Sequence, residues 1–151
     1  MAKLLLILFI GLVFEAAGVV FLKKGITQVG EVRKVNAAEI VRIVKSGAAN
    51  PCVLLGVFFE ALFFRGLLQG QLVERFGAGI GVGVTAIVFG AVHIANDPGV
   101  AGLLLALSVG AGGVALGTVR HLTGRLGSSM ATHSLFNAIA IAAFAASSAI
   151  R

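Results

Sequence analysis

Three short stretches carry the side chains that can do chemistry in a chain otherwise built from apolar residues. Phe58-Phe59-Glu60-Ala61-Leu62-Phe63-Phe64-Arg65-Gly66 sets a carboxylate and a guanidinium inside an apolar run. Phe89-Gly90-Ala91-Val92-His93 and His133-Ser134-Leu135-Phe136-Asn137 add two imidazoles and a carboxamide. An ionised group at bilayer depth costs at least about 2–3 kcal/mol, so such a residue has partners or a task. The three stretches are read as meeting in one buried polar site.

Spacing says what the site would do. His133 and Asn137 are four residues apart, so on a helix they share a face one turn from each other. An imidazole and a carboxamide aimed at one point suit an oxyanion, which needs donors held where negative charge develops. Phe89 and His93 have the same spacing, so the Phe89 ring can wall one side of the imidazole. Asp97, one turn beyond His93, is a candidate to orient it. Glu60, with its proton affinity set by burial and any nearby cation, suits a general base that later acts as acid. With His93 beside it, Glu60 would hold and activate a water. Arg65 is five residues from Glu60, about 140° round an ideal α-helix. It is therefore expected to tie to carbonyls or to another helix and to fix the rotation of its span.

Elements long enough to position these groups follow from composition. Of 151 residues, 58% are hydrophobic and 12% charged, with mean hydropathy +1.05. Soluble domains are about a quarter charged, so this is the composition of a membrane protein. The formal charge is +6, and six of the twelve basic residues (Lys23, Lys24, Arg33, Lys34, Arg42, Lys45) lie in or beside one connection. Every aromatic is Phe, and no basic patch is interleaved with stacking rings, which argues against nucleic acid. Orientation signalling and attraction to anionic headgroups account for the charge, with the lipid bilayer as partner. The basic connection is expected on the cytoplasmic side and the N-terminus outside. Cys52 is the only cysteine, which leaves no intrachain disulfide and no cysteine zinc site.

The expected fold is an all-α polytopic transmembrane bundle of about five spanning helices and one short interfacial helix. The spans are Leu4–Leu22, Pro51–Val73, Gly79–Asn96, Val100–Val119 and Leu126–Ile150. Gly25–Ser46 reads as a polar connection holding an amphipathic helix at 37–45, with Asn36 as its N-cap. Glu39, Arg42 and Lys45 fall on one face of it, Ile40, Val41 and Val44 on another. Pro51 opens the second span, where its missing N–H is tolerated. Gly77, Gly79, Gly81 and Gly83, and later Gly113 and Gly117, have the small-residue spacing that lets backbones approach. Asn96-Asp97-Pro98-Gly99 is a turn, and 120–125 a polar connection. The division is residues 1–50, a helix with a basic interfacial segment, and residues 51–151, the site-bearing bundle. His93 stands late in its span and His133 early in its own. Parallel full crossings would offset the two imidazoles by roughly 10 Å in depth, at 1.5 Å per residue.

The order Glu-x-x-x-x-Arg-Gly, Phe-x-x-x-His, His-x-x-x-Asn resembles the CPBP family, the CAAX-processing and bacteriocin-related intramembrane proteases also called Abi proteins. Phe64-Arg65-Gly66-Leu67-Leu68-Gln69-Gly70, Arg75-Phe76-Gly77 and Thr123-Gly124-Arg125-Leu126 fit as flanks, so the resemblance covers about residues 51–145. It implies an intramembrane CAAX-type endopeptidase in a multi-pass protein of the prokaryotic plasma membrane. Its substrate would be a peptide or protein, prenylated in some members. Glu60 would be the water-activating glutamate and His93 would help hold the water. His133 and Asn137 would stabilise the oxyanion, with Arg65 and Phe89 in support. The resemblance implies no required metal, although Glu60, His93 and His133 are also an accepted zinc ligand combination. One position departs: the family has adjacent glutamates, and residue 61 here is alanine. If proton handling needs the second carboxylate, the chain would be a weak enzyme or a silent scaffold that binds a partner helix. The N-terminal run from Glu15 to Lys23 resembles instead the first helix of small drug/metabolite transporters, in which an intramembrane glutamate carries protons. That alternative makes Glu15 the centre of a proton-coupled transporter and the two histidines dispensable.

Overall fold

Backbone amides and carbonyls have no water to bond in lipid, so a chain this apolar satisfies them within helices. A computed structural model describes residues 2–30, 36–94 and 99–148, and every element among them is helical. Asn96, Asp97 and Pro98 lie outside the described residues, as do Arg33, Lys34 and the side chain of Glu15.

The first helix, α1 (Ala2–Val29), is longer than expected. Nothing breaks it at Lys23, and it runs on to Gly30, whose φ of +84° suits a glycine that ends a helix. Gly25, assigned above to a polar connection, is inside it. Helix α2 (Ala37–Ala49) opens as read, with the Glu39 amide donating to Asn36 Oδ1 at 2.8 Å. Its apolar face is only partly turned outward: Val41 is exposed, but Ile43 is buried where α2 packs against the bundle. On its polar face the Arg42 guanidinium donates to both Glu39 oxygens, at 2.7 and 2.9 Å, and that bond raises the Arg42 pKa above its ordinary value.

Helix α3 (Pro51–Phe76) is the axis of the molecule and touches all the other described helices. Asn50 caps it, accepting from the amides of Cys52 and Val53 at 2.9 and 3.1 Å, and also donates to Gln28 Oε1 of α1 at 3.0 Å. Between Leu62 and Leu68 the α-pattern gives way to a π-turn, in which the Gln69 amide bonds to the Phe64 carbonyl five residues back. Gly77, at φ +83°, ends α3. Helices α4 (Ala78–Ile94), α5 (Val100–Thr123) and α6 (Leu126–Ser148) complete the bundle. Helix α5 runs four residues further than the expected span, so the start of the assigned polar connection is helical. Helices α3 and α5 are each long and apolar enough to cross a membrane, while α4 is apolar but shorter. Five such spans were expected; among the described residues these two pass that test.

Association in lipid relies on close packing rather than on expelling water. The α4–α5 seam shows it: a Cβ at Gly113 would stand 3.2 Å from both Ala86 Cα and Phe89 Cδ1. Gly81 lies closer still to α3, a Cβ there standing 2.6 Å from the Val73 amide nitrogen, whereas Gly79 and Gly83 face open space. The core is Phe63, Phe64, Phe89 and Leu116, with Phe14, Leu67, Leu68, Val92 and Val109 around it. Outward positions such as Phe9, Val20, Ile87, Leu104 and Leu107 are apolar and exposed, the face a lipid environment covers.

Candidate active site

The polar groups of α3, α4 and α6 are gathered around one phenylalanine. Phe89 is 3% exposed and is seated against the notch that Gly113 leaves in α5. The Arg65 guanidinium lies over its ring, with Cζ 4.0 Å from the centroid. His93 and His133 both meet it edge to face, at centroid distances of 5.1 and 5.8 Å. Phe64 of α3 also meets it edge to face, at 4.9 Å. Both imidazoles therefore lean on one ring, from α4 and from α6.

Glu60 is 4% exposed and its Oε2 lies 3.6 Å from His133 Nε2, itself on a residue 6% exposed. Arg65 and His93 are both within electrostatic reach of that imidazole. The carboxylate thus faces the His133 imidazole, while the guanidinium and both imidazoles rest against the Phe89 ring. Arg65 reaches another helix, as expected, through Phe89 of α4. It lies within the π-turn, where amides bond five residues back rather than four, so angles taken from α-helical spacing do not carry across this segment.

His93 has a defined tautomer. Its Nδ1 is 2.8 Å from the Phe89 carbonyl, which only accepts, so Nδ1 carries the proton. In the neutral ring Nε2 is then an acceptor, able to take the O–H of a water. His133 is different: its Nδ1 is buried and has no hydrogen-bond partner among the described residues. Asn137 is half-buried one turn further along α6.

Two buried ties hold these helices in rotation, and neither was singled out from the sequence. Gln69 Nε2 donates to the Gly117 carbonyl at 2.8 Å, joining α3 to α5. Ser129 Oγ donates to the Leu116 carbonyl at 3.2 Å, joining α6 to α5. Ser129, His133 and Asn137 form an i, i+4, i+8 stripe; extending the stripe one turn back would have found Ser129. Among the described residues no group of three or more His, Cys, Asp and Glu is placed to hold a metal ion. Ala61 is buried beside Glu60 in sequence, at 1% exposure.

A buried acid faces an imidazole inside an all-helical bundle, two of whose helices are long and apolar enough to cross a membrane. The model of the Rce1-like type II CAAX prenyl endopeptidases matches residues 49–139, and the chain belongs to that family. No curated protein and no solved structure gives a significant match. The family is one of integral membrane proteins with protease activity on protein or peptide substrates.

Proposed function

We propose that the chain is an intramembrane endopeptidase in which Glu60 and His93 activate a water and His133 and Asn137 stabilise the oxyanion. The observation that carries this reading is the buried approach of Glu60 to His133 at 3.6 Å, beside the Phe89 ring that both imidazoles touch. Glu60 takes one proton from the water while His93 Nε2 accepts a hydrogen bond from it. The water oxygen forms a bond to the carbonyl carbon of the substrate, and the C=O electron pair moves onto its oxygen. An imidazole N–H at His133 and the Asn137 amide donate to that oxyanion. The C–N bond then breaks, and Glu60 returns its proton to the leaving nitrogen. Glu60 and His133 are buried, so each of these interactions is stronger than it would be in solution.

The substrate this supports best is a C-terminal CAAX peptide with a prenylated cysteine, which reaches this multi-pass protein from the bilayer. The test is cleavage of a farnesylated, fluorophore-labelled CAAX peptide by the purified full chain in ¹⁸O-enriched water. Cleavage with one ¹⁸O atom in the new carboxyl group is expected. An absence of cleavage, with the unlabelled helix partner still captured from detergent extracts, would favour the silent scaffold that Ala61 suggests. Substrate-driven proton flux lost in Glu15→Gln, with both histidines dispensable, would favour the transporter.

A further inference from the structure

The first helix lies wholly before residue 49, outside the family match, yet it covers the acid of the site. Helices α1 and α3 run antiparallel along a seam of glycines seven residues apart: Gly11 faces Phe63, Gly18 faces Glu60 and Gly56, and Gly25 faces Val53. A seven-residue step returns to nearly the same side of a helix. At the middle step a Cβ on residue 18 would stand 3.2 Å from Glu60 Cγ, 3.4 Å from the Gly56 carbonyl oxygen and 3.6 Å from the Glu60 amide nitrogen.

We infer that α1 is a working wall of the active site and that Gly18 is the positioning residue for Glu60, an inference that rests on the hydrolase reading above. Glu60 is held from two sides. The bare α1 backbone at Gly18 lies against its side-chain methylene, and His133 faces its carboxylate. A glutamate has several rotatable bonds, and a base must be held within roughly 0.5 Å of its productive position. Contact at Cγ removes the freedom that would let the carboxylate swing away from the water. A methyl group at residue 18 displaces Cγ by a few tenths of an ångström, and the shift grows along the side chain toward the oxygens.

The other two glycines of the seam are the control. A Cβ at Gly11 would collide with the Phe63 ring, and at Gly25 it would stand 2.7 Å from the Val53 amide nitrogen. Those clashes are harder than the one at Gly18, but they fall on packing residues rather than on Glu60. Loss of stability and loss of catalysis should therefore run in opposite orders along one seam.

The experiment measures kcat, KM and the unfolding midpoint of the purified full chain, with Gly11→Ala, Gly18→Ala, Gly25→Ala and Glu60→Gln, on the farnesylated CAAX peptide. Gly18→Ala should lower kcat about tenfold, in keeping with the steep dependence of rate on placement, with KM within about twofold. It should also show the smallest drop in midpoint of the three glycine variants. Gly11→Ala and Gly25→Ala should lose more stability and keep kcat per folded molecule within about twofold. The inference is overturned if Gly18→Ala keeps full kcat while Glu60→Gln is inactive. It is equally overturned if Gly18→Ala is the least stable of the three or fails to fold. Activity retained in Glu60→Gln would instead remove the hydrolase reading, and this inference with it.

Discussion

The stack of Arg65 on Phe89 can be tested by a double-mutant cycle. Arg65 is 1% exposed and Phe89 3%, and the guanidinium carbon lies 4.0 Å from the ring centroid. A desolvated cation on an aromatic face is worth about 2 kcal/mol. Arg65→Lys keeps the charge but replaces a flat, weakly hydrated group by a compact ammonium that cannot lie along the ring. Phe89→Leu keeps most of the volume and removes the quadrupole. Each single change should destabilise the chain, and the two should be strongly non-additive, with a coupling of about 1–2 kcal/mol. Unfolding of the purified protein by graded addition of a denaturing detergent, followed by helical circular dichroism, reads the four stabilities. The same four proteins should show a second effect. His93 and His133 both rest against Phe89, so each single change lowers kcat and the double variant is no slower than the slower single. A coupling below about 0.3 kcal/mol would mean that the two groups are neighbours without mutual energy, and the platform argument would fail.

Three further outcomes follow from named contacts. Asn50→Ala removes the cap that accepts from Cys52 and Val53, and should cost about 1 kcal/mol in the same unfolding titration; no change would mean that the cap is replaced by solvent. Gln69→Leu removes the buried tie to the Gly117 carbonyl and should cost about 1–2 kcal/mol, while a stabilised variant would show that its amide is a burden rather than a tie. His133→Ala and Asn137→Ala should each lower kcat about 10²–10³-fold with little change in KM, as expected for donors to a developing oxyanion. A rise in KM alone would reassign them to substrate binding.

The gathering of Glu60, His93, His133 and Phe89 was legible because ionisable groups are costly in lipid and three spaced pairs pointed to three helices. The π-turn at Leu62–Leu68 was not, because Arg65 and Gly66 within it are residues that ordinary apolar helices also carry, and neither marks a change from α to π. The end of α1 was misplaced for the reverse reason. Lys23 and Lys24 look like the edge of a membrane, but a helix does not stop where the lipid does, and Gly30 is the first residue to break it. Gly11, Gly18 and Gly25 were in plain view at a seven-residue period. A period on one helix gains meaning only when its partner is known, and the partner, α3, emerges only from tertiary packing. Ile43 faces the bundle for a similar reason: amphipathic sequence shows that a face is apolar, not whether protein or lipid covers it.

The most direct measurement is kcat of Glu60→Gln in purified, folded protein against the farnesylated CAAX peptide, beside the unsubstituted chain. The glutamine keeps the shape at the His133 approach and cannot take a proton from water. A loss of at least about 10³-fold, with the unfolding midpoint unchanged or raised, is the predicted result. Turnover within about tenfold of the unsubstituted chain would contradict the account, because another group would then be doing what is assigned to Glu60.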